Sequence, residues 1–569
     1  MLTEKHTWDI LKSYFDTHGF VEHQTNSFDE YINIGIPRVL KEEPDIVVPF
    51  DNINYRISFN NVYIPNATLL EEDRTLRHPT PAECRQRDLT YDSPIYADII
   101  ETNETTGNSI INRRVVIGRT PIMLRSSRCN LFNCTPNERI KKGECEWDQG
   151  GYFIIKGKER VLITQQRAIY NKVLVFLHKK NKIEYKAEMR SMSEETGHSV
   201  SISTNLLSDD NITFNMPYIN NKEGITAGIV FKALGFITEE QITKLIDLNV
   251  EDAKPYILRI IRNSYHIETR EEALRYIGRF AKHVIKESER VEYAKQIIEG
   301  ELFPHMGVTS TIEEKGCMLG YMVNKLLRTC LKYRCEDDRD NYKNKRLETA
   351  GILCCELFKT LYKRLISTIT QKLEKKKQKP DVMSVINKEN GITTGLKTSF
   401  SISNWGAKKN TYVRTGVSQI LSRLTYGATL SHLRRIMLQI GKESKNSKVR
   451  QINPSQIMFL CPSETPEGQS VGVVLNLSLL TQITERIPVN LVKDVLENMS
   501  EIDNVISGYT KIFLNGILLG STKTPTDCVK NLKELRSIDV IPRSVSVTYD
   551  NIDNEINLYS DEGRLLRPI

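Results

Sequence analysis

The chain has 569 residues, of which 39% are hydrophobic and 26% charged, and a formal net charge of +8. That apolar content supports globular cores and excludes a disordered chain, and the length is that of several domains rather than one. The excess of 79 basic over 71 acidic residues is too small to name a partner, so its placement carries more than its sum.

The opening residues MLTEKHTWDILKSYFDTHGF combine acids with helical apolar spacing, which is not the pattern of a secretory signal. No apolar run approaches the roughly 18 residues that cross a bilayer. Eleven cysteines, scattered over the length, fit reduced thiols better than a disulfide framework. The expectation is a soluble, intracellular chain with no membrane partner.

In chain order, the first ~187 residues mix short strand patterns with turns. GGYFIIKGKERVLITQQ reads as strand, Gly-containing turn and strand, a hairpin. From about 188 to 345 the spacing becomes helical, as in TREEALRYIGRFAKHVIKESERVEYAKQIIEG. A long helix is predicted from about Lys345, with a stripe of Leu347, Leu353, Leu357, Leu361, Leu365 and Ile369. Its lysine-rich end QKLEKKKQKP reads as a solvated terminus closed by Pro380. Strands and loops resume near 400, and the last ~85 residues read as a small α/β or β-rich unit.

Residues 456–476, QIMFLCPSETPEGQSVGVVLN, set a polar loop between two apolar runs. Ile457–Leu460 and Val471–Leu475 are predicted as buried strands. Pro462, Pro466 and Gly468 break regular structure between them, so the loop is stiff and delivered by buried elements.

Several stretches tempt an enzymatic reading and fail it. GITTGLKTS (391–399) lacks the Gly-Lys adjacency of a phosphate-binding P-loop. Asp337, Asp338 and Asp340 could hold Mg²⁺, but Arg339, Lys343, Lys345 and Arg346 among and after them favour a salt-bridged turn. Cys129, Cys134 and Cys145 lack the CxxC spacing of a zinc site, and His18 and His23 lack an HExxH context. No metal site is assigned, and no nucleophile elbow supports a Ser/His/Asp triad.

Positive charge gathers in 404–450. Over 434–450, six basic residues (Arg434, Arg435, Lys442, Lys445, Lys448, Arg450) face one acid, Glu443, a net of +5. Upstream, Lys408, Lys409, Arg414 and Arg423 add to it, with Tyr412 and Tyr426 between them. Cations on Gly/Ser/Thr-bearing loops suit a phosphate backbone: the charge neutralises it, while hydroxyls and N–H groups fix its position. The bland alternative is a solvated basic face.

With these segments in order, the sequence resembles the N-terminal half of the second-largest subunit of multisubunit DNA-directed RNA polymerases, of eukaryotic, archaeal and large-DNA-virus type. The resemblance rests on HPTPAECRQRDLTYDSPIYADI (78–99), IGRTPIMLRSSRCNL (117–131), GGYFIIKGKERVLITQQR (150–167), ELFPHM (301–306), DDRDNYKNKRLETAG (337–351), LSRLTYGATLSHLRR (421–435), CPSETPEGQSVG (461–472) and DEGRLLRP (561–568). No single piece decides it; the ordered series does.

The resemblance implies an α+β multidomain fold. A protrusion (1–187 and 345–403) would carry an inserted lobe (188–344), followed by a fork (404–482) and the start of an external domain (483–569). It implies a subunit that acts in DNA-dependent RNA synthesis from NTPs only within a multisubunit complex, forming one side of the DNA cleft. It places Lys408 and Lys409 beside the upstream hybrid, and Arg414, Gln419, Arg434 and Arg435 against the hybrid backbone. Lys442 and Lys445 would sit where downstream strands separate, with Arg450 and Gln451 just after, although GKESKNSK lacks the family's GRDGK-like loop. Glu467 would support the active centre. Mg²⁺ would be held mainly by the largest subunit, and zinc only in the C-terminal half that this sequence does not contain. Expected partners are the largest subunit, a polypeptide carrying that C-terminal half, other polymerase subunits, the DNA template, the RNA–DNA hybrid and NTPs. A composition rich in Lys, Asn and Ile suits a large DNA virus, hence host cytoplasm or virion; otherwise the nucleus or an archaeal cytoplasm is expected. The alternative is a non-catalytic nucleic-acid-binding scaffold that retains the fold.

Overall fold

The computed structural model describes residues 3–50, 53–73, 75–180, 182–219, 224–248, 250–281, 286–307, 310–375, 382–386, 388–406, 414–440, 447–499, 502 and 509–567. Strands and helices mix throughout, as an α+β chain requires. The chain divides into two compact units. One comprises residues 1–167, 340–485 and 562–569; the other comprises 168–339 and 486–561.

The first unit begins with an antiparallel sheet of Ile46–Phe50, Ile53–Tyr63, Asp92–Asn103 and Ser109–Pro121, paired in that order. The helix Ala350–Lys375 buries Leu353, Leu357, Leu361, Leu365 and Ile369, the three- and four-residue steps that the sequence displays. Its Tyr362 ring meets Phe59 of the sheet edge-on, centroids 5.9 Å apart. The helix starts later than its apolar stripe suggests. Leu347 is buried, but on the strand Lys345–Glu348. The lysine run that ends at Pro380 passes outside the described residues. GITTGLKTS lies in the helix Gly391–Ile402, not in a phosphate-binding turn.

The expected hairpin forms from Phe153–Ile155 and Lys158–Leu162. Its two-residue turn places Lys156 at φ 50° and Gly157 at φ 71°, the left-handed pair that a twisted hairpin favours. A second sheet gathers distant segments in the order Lys345–Glu348, Thr164–Ala168, Arg435–Leu438, Val474–Asn476. Thr164–Ala168 runs parallel to Arg435–Leu438, which pairs antiparallel with Val474–Asn476.

In the second unit the helical pattern begins later than expected. Residues 188–226 are largely strand, in a sheet ordered Leu174–Lys180, Ile183–Met192, Ser199–Leu207, Ile212–Asn215, Ile225–Thr226. Alternating Ser and Thr with apolar residues sets the strand period there, and helices start only at Ala227. Residues 486–561 form the α/β unit expected at the end of the chain. The sheet Ile517–Thr522, Thr510–Leu514, Glu555–Tyr559, Ser546–Asp550 accompanies helices Val489–Glu497 and Pro525–Ser537.

A buried charge network ties that sheet to the helix Ile312–Cys330 within the second unit. Lys325 Nζ lies 3.4 Å from Asp553 and 3.9 Å from Glu555, and Tyr321 donates to Glu555 at 2.7 Å. Arg334 bridges Asp553 at 2.8 Å and Asp337 at 3.0 Å. Asp337 also accepts the N–H of Val175, so this carboxylate serves a salt-bridged turn. Burial alone would lower Lys325, but Glu555 and Asp553 outweigh it and hold the ammonium above its ordinary pKa. Lys325→Met leaves two buried carboxylates short of a cation and is expected to cost about 3–5 kcal/mol. Urea unfolding of the full chain measures this, with Lys254→Met in an exposed pair as a near-neutral control.

Candidate nucleic-acid interface

The basic segment enters the second sheet of the first unit through the helix Tyr426–Leu433. Thr425 caps its N-terminus, accepting the Ala428 N–H at 3.1 Å. The strand Arg435–Leu438 follows, and residues 439–473 lie in sequence between it and its antiparallel partner Val474–Asn476. Two adjacent strands therefore anchor both ends of that segment, which includes the polar loop 461–472.

The loop is held by its own polar groups. Thr465 Oγ1 donates to the Val474 carbonyl at 3.0 Å and accepts the Gly472 N–H at 3.1 Å. The Cys461 N–H reaches the Asn476 carbonyl at 3.0 Å, and Asn476 Nδ2 donates to the Glu464 carbonyl at 3.3 Å. Arg450 Nη1 donates to the carbonyls of Gln469 (2.7 Å) and Val471 (2.8 Å). Gly472 has φ 67°, and a Cβ there would lie 2.3 Å from the Arg450 carbonyl, so only glycine permits this approach. Glu467 stands exposed at the start of the short turn Gly468–Ser470.

The apolar runs beside the loop are not the strands expected. Residues 457–459 form turns with Ile457 and Met458 exposed and Met458 at φ 68°, and Leu460 makes only an isolated bridge to Leu477. Asn453 accepts the Ser455 N–H at 3.0 Å and starts the turn Pro454–Gln456, so turn chemistry overrides β-branching. Val471 is exposed, and the following strand begins only at Val474.

The candidate contact residues divide sharply. Lys408, Lys409, Lys442 and Lys445 lie outside the described residues. Arg414 is mostly buried, 2.6 Å from Glu348 and 3.6 Å from Glu356, while Arg167 holds the other Glu348 oxygen at 3.1 Å. Arg434, placed by the resemblance against the hybrid, instead turns inward and is 5% exposed. It donates to the carbonyls of Phe20, Ser478 (2.6 Å) and Leu479 (3.2 Å). Desolvation lowers its pKa to about 10, with Tyr14 opposing. Arg423, which has no acid near it in sequence, meets Glu159 at 2.6 Å and Asp148 at 3.0 Å.

Arg435 is one residue on, where the helix cap ends and the strand Arg435–Leu438 begins. It is half-buried, and its Nε has no hydrogen-bond partner; desolvation lowers its pKa, with Glu464 opposing. Gln451 and Lys448 are exposed. Gln419 is fixed by His432, which feels the charge of Arg435. The Ser422 N–H reaches His432 Nδ1 at 3.1 Å, so Nε2 carries the proton and donates to Gln419 Oε1 at 3.0 Å. Gln419 Nε2 then donates to the Gly416 carbonyl at 3.0 Å. This clamp is not legible in the sequence, because His432 reads as one more helix residue.

Among the described residues no group of three or more His, Cys, Asp or Glu side chains is placed to hold a metal ion. Cys134 accepts from Lys142 Nζ at 3.1 Å, and Cys129 interacts with the Tyr91 hydroxyl at 3.4 Å. No described helix is long and apolar enough to cross a membrane.

A family model described as RNA polymerase beta subunit matches residues 19–394. Models of RNA polymerase Rpb2 domains 3 and 4 match residues 419–483 and 512–569. The chain belongs to the RNA polymerase beta-subunit family. A probable DNA-directed RNA polymerase II subunit RPB2 homolog of Invertebrate iridescent virus 6 is 37% identical over 642 residues, covering 100% of this chain and 54% of the relative. DNA-directed RNA polymerase II subunit 2 of Arabidopsis thaliana is 36% identical, covering 100% of this chain and 51% of the relative. DNA-directed RNA polymerase subunit Rpo2 of Sulfolobus acidocaldarius is 31% identical with the same coverage of each, 100% and 51%. The chain thus spans about half the length of the curated relatives it matches.

Burial lowers the pKa of His432 to about 4, with Arg435 adding to the effect. An unfolded imidazole titrates near 6.5, so the folded form binds fewer protons between those values. The stability from the neutral clamp is fully present above pH 6.5 and lost as pH falls toward 4. Urea midpoints between pH 7 and 4 are expected to fall less steeply in His432→Gln, by about one proton taken up on unfolding.

Proposed function

We propose that this chain is a working part of a DNA-dependent RNA polymerase, adding nucleotides from NTPs to the RNA 3′ end within a multisubunit complex. The observation that carries the reading is the family match, which runs in order along the chain from residue 19 to 569. In this reading residues 1–187 and 345–403 are the protrusion, 188–344 the lobe, 404–482 the fork and 483–569 the start of the external domain.

The chain's own residues bind and position rather than carry the chemistry. Arg435 offers a guanidinium without an ion pair among the described residues, suited to a phosphate of the RNA–DNA hybrid. Gln419, clamped by His432, has little freedom to lose on binding. Lys408, Lys409, Lys442, Lys445 and Gln451 complete the nucleic-acid surface. Arg450 positions the 461–472 loop, which presents Glu467 toward the nucleotide-addition site. Arg414 and Arg434 support that surface from within, through Glu348 and three backbone carbonyls. Mg²⁺, which would neutralise charge developing in phosphoryl displacement, belongs in this reading to the largest subunit. The described carboxylates here do not gather to hold it, so no step is assigned to it on this chain.

The test is a complex reconstituted with the remaining polymerase sequence, bound to a template–RNA scaffold. Arg435→Ala is expected to weaken scaffold binding by about 1–3 kcal/mol and reduce the salt slope by about one. Unchanged affinity and salt slope would remove the contact. Scaffold binding without primer extension in an otherwise complete complex would favour the non-catalytic scaffold.

A further inference from the structure

The short helix Pro136–Lys141 is fixed by a capping box. Thr135 accepts the Glu138 N–H, while Glu138 Oε2 accepts the Thr135 N–H at 2.8 Å. This orientation turns Arg139 inward, where it is 9% exposed. Its Nε and Nη1 are shut off from solvent and meet no acceptor among the described residues. A buried guanidinium without a counter-charge is among the costlier arrangements a fold can hold.

Three carboxylates along this stretch, Glu138, Glu144 and Asp148, are already engaged, and Glu146 is exposed. Glu138 serves the cap. Glu144 receives Arg85 on both oxygens, at 2.8 and 2.9 Å. Asp148 accepts from the Gly150 N–H (2.7 Å), the Tyr152 hydroxyl (2.9 Å) and Arg423 (3.0 Å). A second arginine lies close by, with the Asp148 charge only partly offsetting its own. Arg125 takes φ 63°, an unusual conformation for a non-glycine residue, and donates Nη1 to the Asp148 carbonyl at 2.9 Å. Burial lowers the Arg125 pKa, and the nearby Arg139 charge lowers it further.

We propose that Arg125 and Arg139 form an oxyanion site on the first unit and that its ligand is a phosphate group, supplied by the backbone of single-stranded nucleic acid. Planar guanidinium donors match phosphate oxygens. Two exposed aromatics favour a nucleic-acid source, since bases stack on such rings. Trp147 is 66% exposed and Tyr426 54%. Gln149 joins them, donating to the Trp147 carbonyl at 3.3 Å and to the Tyr426 hydroxyl at 3.2 Å. The choice of nucleic acid as the source rests on the polymerase reading; the phosphate site itself does not.

The test uses the full chain with two probes, inorganic phosphate and a 5′-hydroxyl single-stranded DNA of about twelve nucleotides, at constant ionic strength. Phosphate is expected to raise the melting temperature of the native chain. Arg139→Met is expected to melt at or above the native temperature without phosphate and to bind phosphate at least about tenfold more weakly, one charge-assisted hydrogen bond. Arg125→Gln is expected to weaken phosphate as well, which keeps the site testable should the first variant misfold. A lowered melting temperature in Arg139→Met with an undiminished phosphate effect overturns the site, because the guanidinium is then satisfied within the fold. Arg139→Met and Trp147→Ala are both expected to weaken the oligonucleotide, and only the first to weaken inorganic phosphate. Oligonucleotide binding untouched by Arg139→Met overturns the nucleic-acid source. Lys254→Met, in an exposed pair with no binding role, is expected to leave phosphate binding unchanged, and inorganic phosphate is read on the chain without a template–RNA scaffold, so failure here is separate from failure of the hybrid contact.

Discussion

The amide of Gln24 is the joint on which the first unit depends. Fully buried, its Nε2 lies within hydrogen-bond reach of the Leu162 carbonyl and Thr164 Oγ1 (both 3.3 Å) and the Leu433 carbonyl (3.5 Å), while its Oε1 accepts the Ala350 N–H at 3.2 Å. Those partners lie up to 409 residues away in sequence. An amide has both donors and an acceptor, so one side chain can satisfy the backbone where a strand, a helix end and a helix start converge. Beside it the Ser27 hydroxyl meets Thr349 and accepts the Gly351 N–H at 3.0 Å. A Cβ on Gly351 would lie 1.8 Å from the Ser27 carbonyl, which shows how closely the chain segments approach. Polar groups at such a crossing must all be satisfied, because a single unmet one costs as much as a good contact gains.

Arg434 extends the same logic toward the surface. It ties the end of the helix Tyr426–Leu433 to Phe20 and to the Ser478–Leu479 turn, fixing the origin of the strand that displays Arg435. Arg450 repeats the device on the 461–472 loop, and Arg414 on the buried Glu348. Three arginines that looked alike in sequence therefore hold a surface in shape, and one of their neighbours is left to use it. Preorganisation of this kind lowers the ordering cost of binding a flexible polyanion.

The second unit uses buried charge in place of a buried amide. Residues 486–561 rejoin 168–339 through Lys325, Arg334, Asp553 and Glu555, and through a close approach of Gly516 to Asn171. A Cβ on Gly516, at φ 88°, would lie 1.9 Å from the Asn171 carbonyl. Asn515 donates to Glu194 at 2.8 Å and to Ser560 at 2.9 Å in the same region. Each unit is thus assembled from chain segments far apart in sequence, an arrangement of high contact order.

Much was legible without coordinates. The 153–162 hairpin, the stripe on Ala350–Lys375, the closing α/β segment and the irregular backbone of the Pro/Gly-bearing loop follow from local rules: turn residues, side-chain period and the geometry of proline and glycine. The ordered motifs identified the family because they reflect ancestry and not any single contact. What failed was whatever local rules leave open. Ile457–Leu460 has strand composition, but Asn453 and Pro454 start a turn that leaves Ile457 and Met458 exposed and only Leu460 buried. Residues 188–226 were read within a helical stretch, although their pairing partners made them strands. A count of charges along 404–450 could not separate Arg434 from Arg435, since the first closes a helix over buried carbonyls and the second opens a strand. Nor could it see Arg423 among acids from residues 148–159, or Arg139 without any. Sequence determined which groups are present and how each short segment folds. Tertiary structure decided which charges are neutralised inside and which remain for a ligand, because that depends on neighbours hundreds of residues away.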